Sequence, residues 1–175
     1  MTPPTTTRTH TVVPSPIGPL TVVRDDGALV GLYMELFRRP LDPAVVGERF
    51  DPGFADVVRQ LDEYFTGERT AFDLPLRPIG SEFELAVWEQ LTRIPYGETR
   101  SYGDVARALG DPGAAQAVGA ANGRNPLSIV VPCHRVIGAD GSLTGFAAGL
   151  DRKRYLLDLE AAVTAGRPLG SLSSR

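Results

Sequence analysis

Residues 102–123, YGDVARALGDPGAAQAVGAANG, contain two short helical segments joined by a tight turn. Ser101 or Thr99 can cap the first segment, and Asp111 followed by Pro112 supplies a cap and a first-turn proline for the second. Two short helices joined in this way predict a helix-turn-helix. Such helix pairs also occur in many proteins that never touch DNA, so the pattern alone leaves the function open.

The second of these segments carries almost no large side chains. Its small residues are Gly113, Ala114, Ala115, Ala117, Gly119, Ala120 and Ala121. Close packing against a neighbouring helix would explain this composition. A helix with short side chains can also press into a narrow groove of a nucleic acid, where long side chains would not fit.

The flanking segments predict a mixed fold. Runs rich in β-branched residues at 9–13, 20–24 and 28–34 are separated by turn signals, which predicts a small antiparallel sheet. Helical spacing of apolar residues over 54–68 predicts a helix that packs against this sheet. Further predicted segments are a linker at 73–80, a helix at about 82–93 that starts with the Ser81/Glu84 capping box, a hairpin-like connection around 139–141, and a helix at 150–162.

We therefore predict an α+β fold in two parts. Residues 1–78 would form an N-terminal domain built on the small antiparallel sheet. Residues 79–162 would form a mainly helical domain with the helix-turn-helix, and residues 163–175 a disordered tail.

Composition narrows the class of protein. A chain of 175 residues with 42% hydrophobic residues can bury a core, and it has no apolar run of about 18 residues that could span a membrane. Its start lacks the apolar stretch of a secretory signal, so we expect a cytoplasmic protein. Residues 1–80 carry 8 Arg and 11 Asp plus Glu, whereas residues 81–175 carry 10 basic and 10 acidic residues. The neutral second half does not predict tight nonspecific binding to DNA.

The stretch IVVPCHRVIG, residues 129–138, places the only cysteine beside one of the two histidines. A single cysteine can form neither an internal disulfide nor a cysteine-based zinc site. Cys133 could be a small buried hydrophobe. It could also be a nucleophile whose pKa is lowered by His134 and Arg135, although neighbours in sequence need not touch in space.

Four motifs in order carry a family resemblance. IVVPCHRVIG, together with IPYGETRSYGDVA (94–106), GAAQAVGAANGRNP (113–126) and LTGFAAGLDRKRYLLDLE (143–160), closely resembles the O6-alkylguanine-DNA alkyltransferases, the methylated-DNA–protein-cysteine methyltransferases. SPIGPLTVV (15–23) also resembles their N-terminal domain, which implies an RNase H-like sheet.

The resemblance implies direct-reversal DNA repair. Cys133 would take the alkyl group, typically methyl, from O6-alkylguanine, with O4-alkylthymine as a further substrate, and the stable thioether would limit each molecule to one reaction. His134 would accept the thiol proton through a water, and Glu160 would orient His134. Tyr102 would donate a proton to the guanine, and Asn125 would tie the DNA-binding helices to the active-site loop. The transfer needs no cofactor and no metal.

The resemblance also implies how DNA is bound. The partner is double-stranded DNA, entered through the minor groove by a monomer that flips the damaged base out; cooperative binding along DNA stays open. The residues implied at the base are Val136, Phe146 and Ala147, and those implied at the DNA are Gln116, Ala117, Ala121, Asn122, Arg124 and Arg135.

Three departures from the family pattern bear on substrate range and rate. Gln116 stands where the family carries an arginine that fills the vacated base position, so weaker flipping or binding is expected. Phe146 replaces a common tyrosine, and Ala148 replaces a glycine and can narrow the pocket. Lys153 and its flanking arginines are predicted to form a solvated helix face.

Three other functions fit parts of the pattern. A cysteine hydrolase or peptidase would need an oxyanion hole and an acyl substrate, for which the sequence has no specific signal. A non-enzymatic, alkyltransferase-like damage-binding protein would lack the cysteine. An alkyltransferase fused to a cysteine-zinc regulator would need additional cysteines.

Overall fold

The N-terminal half is built on a four-stranded sheet, in which the third strand along the chain lies at one edge and the fourth at the other. The protein is represented by a computed structural model that describes residues 2–4, 6–35, 41–146 and 148–172. Strands β1 (Arg8–Val13), β2 (Leu20–Asp25) and β3 (Ala28–Met34) pair in antiparallel fashion, as the sequence predicts. The fourth strand, β4 (Glu48–Arg49), is parallel to β1, so the prediction of a purely antiparallel sheet is wrong at this edge.

Two helices accompany the sheet. The short α1 (Pro43–Val46) begins at Asp42, whose side chain accepts a hydrogen bond from the Ala44 N–H. The longer α2 (Ala55–Phe65) buries Val57, Leu61 and Tyr64 on one face, as its helical spacing predicts. The chain turns after α2 at Gly67, which has a φ of +82° that favours glycine.

The C-terminal half is mainly helical. Its helices are α3 (Glu82–Thr92), α4 (Tyr102–Ala108), α5 (Ala115–Gly123) and α6 (Leu150–Thr164). The capping box of Ser81 with Glu84 has both of its hydrogen bonds, and Ser101 with Asp104 forms a second one at the start of α4. A 3₁₀ turn over Pro112–Ala114 precedes α5. The prediction of an α+β fold is confirmed.

The outer edge of β3 is covered by two segments from later in the chain. The Leu29 N–H donates to the Pro75 carbonyl, and the Leu32 N–H donates to the Pro126 carbonyl, both at 2.8 Å. The Leu32 carbonyl in turn accepts from the Ser128 N–H at 3.2 Å. Residues 75–77 of the predicted linker are therefore paired with the sheet, and an edge that could pair with another chain is covered.

Two other expectations differ from the structure. The hairpin around 139–141 is wrong: Gly138 and Ser142 close a turn, but β6 (Val136–Ile137) pairs in parallel with β5 (Arg100–Ser101). Within 163–175, expected to be disordered, α6 continues to Thr164 and a 3₁₀ turn follows over Leu169–Ser171. Leu169 packs against the core, which gives this segment apolar burial. The division at residue 78 stays a prediction.

The described part of the chain contains no helix with the length and apolar character needed to span a membrane.

Candidate active site

Glu160, on the buried side of α6, is the centre of a hydrogen-bond network. Its Oε2 accepts from His134 Nε2 at 2.6 Å, from the Tyr64 hydroxyl at 2.7 Å and from Arg135 Nη2 at 3.1 Å. Its Oε1 accepts from Arg135 Nε at 2.7 Å and from the Gly97 N–H at 3.2 Å. Glu160 is 1% exposed, so its carboxylate has lost its hydration water, and these hydrogen bonds compensate for that loss.

The charges of this network follow from its geometry. Burial would raise the pKa of Glu160, but hydrogen bonds from His134 and Arg135 and the charge of Arg135 lower it to about 2, so the carboxylate is ionised. Burial lowers the pKa of His134 and outweighs the opposite effect of Glu160, with Arg135 and Lys153 acting in the same direction as burial. A neutral His134 that donates from Nε2 has a free lone pair on Nδ1.

The second ring nitrogen of His134 is available as a base. Nδ1 is buried and has no hydrogen-bond partner among the residues that the structure describes. His134 follows Cys133 in a 3₁₀ turn over Cys133–Arg135, directly after Pro132. Cys133 thus lies in a turn, as predicted from Pro132. A carboxylate that orients a histidine is one part of the arrangement that activates a nucleophile, and His134 directly follows the thiol of Cys133 in the chain.

The thiol of Cys133 needs such a base. Burial raises its pKa, while hydrogen bonding by Asn125 and Ser128 and the charge of Lys153 act in the opposite direction. Cys133 is 4% exposed, and the net effect keeps the resting thiol protonated at neutral pH. Reaction through sulfur therefore requires that the proton be removed.

Two asparagines fix the backbone around Cys133. Asn125 Nδ2 donates to the Val131 carbonyl at 2.8 Å, and its Oδ1 accepts from the Leu127 N–H at 3.0 Å. Asn122 Nδ2 donates to the Cys133 carbonyl at 3.3 Å. The end of α5 is therefore linked through side chains to the segment that carries the thiol.

Tyr102 and Lys153 donate hydrogen bonds to the same backbone carbonyl. The Tyr102 hydroxyl donates to the Thr144 carbonyl at 3.0 Å, and Lys153 Nζ donates to the same oxygen at 2.8 Å. Lys153 Nζ also donates to the Val136 carbonyl at 2.5 Å and lies 5.9 Å from the centroid of the Phe146 ring. These contacts hold the segments on two sides of Cys133.

The prediction that Lys153 lies on a solvated face is wrong. Its side chain is fully buried, and burial lowers its pKa while Cys133 acts in the opposite direction. Arg152 is also 8% exposed, and its guanidinium donates to the carbonyl of Glu35. Both side chains can be buried because backbone carbonyls of neighbouring segments accept hydrogen bonds from their charged groups.

A cavity of about 240 Å³ opens beside Cys133. Asn122, Asn125, Ser128, Gly145, Phe146 and Ala148 contribute to its lining. Val136 is buried and contributes its carbonyl to the contact with Lys153. Ala147 lies outside the described residues. The cavity is small compared with typical ligand pockets of about 300–1,000 Å³, and suits a single base or a short group at the sulfur.

The residues expected at DNA divide into two groups. Gln116, Ala117 and Arg124 are exposed, and Arg124 lies 3.7 Å from Glu84. The other three are buried in the free protein, and their role at DNA stays a prediction. Ala121 and Asn122 are buried at 1% and 2% exposure, and Arg135 is bound to Glu160 and to the Ile94 carbonyl. These three face the interior because the opposite face of α5 and the 3₁₀ turn pack against the core.

Sequence reasoning missed Tyr64 as a member of the site. Its helical spacing predicts burial on α2, but nothing local indicates that its hydroxyl reaches Glu160. Lys153 was missed because charged neighbours surround it in sequence.

Removing the Tyr64 hydroxyl is expected to destabilise the fold. Tyr64→Phe deletes a buried donor to an ionised carboxylate, a hydrogen bond worth about 1.5–3 kcal/mol. Urea unfolding measures the loss. Tyr96→Phe is the matched control, because the buried Tyr96 hydroxyl has no hydrogen-bond partner among the described residues. Equal losses in the two variants would contradict a specific role for the Tyr64 contact.

Comparisons with known proteins identify the family of the chain. Residues 82–162 match the family described as "6-O-methylguanine DNA methyltransferase, DNA binding domain", and residues 9–78 match its "ribonuclease-like domain". The methylated-DNA–protein-cysteine methyltransferase of Mycolicibacterium paratuberculosis is 54% identical over 152 residues, which cover 86% of this chain and 91% of the relative. The Methanosarcina acetivorans protein of the same name is 47% identical over 156 residues, covering 87% and 98%.

Solved structures give the same result. The crystal structure of the Mycobacterium tuberculosis O6-methylguanine methyltransferase is 49% identical with a TM-score of 0.81, covering 89% of this chain and 93% of that one. The crystal structure of M. tuberculosis OGT in complex with DNA is 48% identical with a TM-score of 0.82, covering 92% and 96%. The chain belongs to the 6-O-methylguanine DNA methyltransferase family.

Proposed function

We propose that this chain repairs DNA by transferring the alkyl group of O6-alkylguanine to Cys133, with O4-alkylthymine as a further substrate. The observation that carries the proposal is that His134, which directly follows the buried Cys133 in the chain, has its Nε2 held by the ionised Glu160. The family membership of the chain supports the same reaction.

The proposed transfer balances its bonds and protons. The sulfur of Cys133 attacks the alkyl carbon, a C–S bond forms and the C–O6 bond breaks. The thiol proton goes to Nδ1 of His134 through a water, and Tyr102 supplies a proton to the departing guanine. Glu160 stabilises the protonated His134 because its carboxylate already accepts from Nε2. A thioether has no good leaving group, so each chain reacts once and is then spent.

The proposed DNA contact uses α4 and α5 as a helix-turn-helix. Gln116 and Ala117 are exposed near the start of α5, whereas Val118 and Ala121 are buried. Short side chains at exposed positions of this helix suit the minor groove, and flipping the damaged base costs a few kcal/mol. The M. tuberculosis relative bound to DNA supports DNA as the partner. We propose a monomer that acts in the cytoplasm, and cooperative binding along DNA is open to measurement.

Restoring an arginine at position 116 is expected to strengthen DNA repair. Gln116→Arg adds a charge and a stacking plane to an exposed position, so affinity for double-stranded DNA should rise about threefold to tenfold at low salt. Gln116→Lys is the matched control, since it adds the charge without the plane. Fluorescence anisotropy measures affinity, and single-turnover quench measures transfer. If the two variants transfer equally fast, the guanidinium plane has no role in flipping.

Mass spectrometry of the intact protein tests the function. Mixing with a duplex that contains O6-methylguanine should add one methyl group per chain, and peptide mapping should place it on Cys133. The same duplex with unmodified guanine is the control. A methyl on another residue, no transfer by folded protein, or many turnovers per chain would overturn the proposal; many turnovers would favour a hydrolase.

A further inference from the structure

The cavity beside Cys133 has one wall from the N-terminal sheet. Met34, the last residue of β3, lines it together with Cys133, Phe146 and Ala148. Met34 is 4% exposed and belongs to the same apolar cluster as Cys133. Met34 precedes Cys133 by 99 positions in the sequence, yet both residues line the same cavity.

Of the β3 residues that line this cavity, Met34 is the one that belongs to the apolar cluster of the thiol. Tyr33 also contributes to the lining, but its ring lies across Gly31, where an added Cβ would be 2.5 Å from a ring carbon. The Tyr33 ring packs against a second, smaller apolar cluster that contains Val23 and Val30. Because neighbouring strand residues point to opposite faces, Met34 points toward the cluster of the thiol.

Contacts on both sides of Met34 hold it in place. Before it, Leu32 is hydrogen-bonded to Pro126 and Ser128, which themselves line the cavity. After it, the Glu35 carbonyl accepts from the guanidinium of Arg152, which also donates to the Ala148 carbonyl at 3.3 Å. The position of the sheet relative to the cavity is thus fixed through the backbone.

The chemistry of methionine suits a wall that limits size. Its thioether side chain is apolar and flexible, so it can contact an alkyl group without competing for the protons of His134 or Tyr102. A methyl group needs little room beside the sulfur. A benzyl group needs more, in a cavity of about 240 Å³ that Ala148 also borders.

We infer that Met34 sets the upper size of the alkyl group that Cys133 can accept. This inference rests on the proposed function, because it concerns the substrate range of the same site. It assigns a part of substrate selection to the N-terminal sheet.

The test compares O6-methylguanine and O6-benzylguanine in the same duplex. Met34→Ala should raise the ratio of benzyl to methyl transfer rate constants about tenfold, the lower end of what one or two methylenes contribute to selectivity. Met34→Phe should lower the ratio. Met34→Leu, similar in volume, should leave the ratio within about twofold. Circular dichroism identifies variants that fold, and if Met34→Ala does not fold, the Met34→Phe ratio decides.

Val30→Ala is the control for general loosening of the sheet. Val30 is buried on β3 but belongs to the other cluster and is not part of the cavity. The inference is overturned if the ratio of benzyl to methyl transfer rate constants stays constant in Met34→Ala and Met34→Phe. It is also overturned if the ratio rises equally in Val30→Ala. In both cases methyl transfer would still support the proposed function. Failure of the unaltered protein to transfer methyl overturns the proposed function and the inference with it.

Discussion

Cys133→Ser is expected to abolish alkyl transfer while leaving the fold and DNA binding intact. Serine has the same branching as cysteine and is smaller, so it fits without a clash and the buried turn over Cys133–Arg135 should persist. A serine hydroxyl is a far weaker nucleophile than a thiol, and His134 is arranged to remove the proton of a thiol. Single-turnover quench with O6-methylguanine duplex should show no methyl on the protein above the signal of unmodified duplex.

Two measurements make this result decisive. Thermal unfolding of Cys133→Ser should match the unaltered protein within a few degrees, and anisotropy should give similar affinity for the methylated duplex. Ser128→Ala is a useful comparison, because Ser128 lies in the same cavity and contributes only a hydrogen-bonding effect on the thiol. Transfer that survives in Cys133→Ser would place the acceptor elsewhere.

Glu160→Gln is expected to have the second largest effect, on both stability and rate. The change leaves Arg135 as a buried charge without its carboxylate, and such a loss costs about 3–5 kcal/mol. It also removes the charge that stabilises a protonated His134, so transfer should slow about 100-fold or more. Urea unfolding and single-turnover quench measure the two effects. Glu89→Gln, in an exposed pair with Arg93, is the matched control.

A double variant separates stability from catalysis. Glu160→Gln combined with Arg135→Met removes both charges, so much of the lost stability should return. The rate should stay low, because His134 still lacks its carboxylate. If the rate recovers together with the stability, Glu160 acts only as a structural residue.

Acid unfolding gives an independent check on Glu160. Its pKa in the folded protein, about 2, lies below the ordinary value of 4.5. The ionised carboxylate therefore adds stability above pH 4.5, and this contribution is lost as pH falls from about 4.5 toward 2. The Glu160→Gln variant should lack this part of the acid dependence. An unchanged dependence would mean that the carboxylate is not selectively stabilised in the fold.

Local signals in the sequence predicted most helices and strands. Ser81 and Glu84 announced the start of α3, and both hydrogen bonds of that capping box are present. The alternation along β1 and the helical spacing of α2 likewise depend on neighbours within a few residues. Such signals are readable from sequence because the partners lie close together along the chain.

The site was predictable mainly through resemblance. Composition did not decide whether Cys133 is a small buried hydrophobic residue or a nucleophile. Only the matching motifs pointed to Glu160 as the partner of His134. The prediction for Lys153 was wrong because charged neighbours in sequence usually indicate a solvent-exposed face. The carbonyls of Val136 and Thr144, which are distant in sequence, accept hydrogen bonds from its ammonium group. Position in the fold, rather than local pattern, decides the burial of such a side chain.

The network at Glu160 also leads us to expect that reactivity depends on complete folding. The contacts of this carboxylate join residues 96, 63 and 26 positions apart, from Tyr64, Gly97 and His134. Each of these contacts closes a long loop of chain at a cost in entropy, so we expect them to form late in folding. A partly folded chain therefore has an ordinary thiol without an oriented base. The amount of alkylated protein should therefore measure how many chains have folded completely during refolding, because each chain accepts one alkyl group.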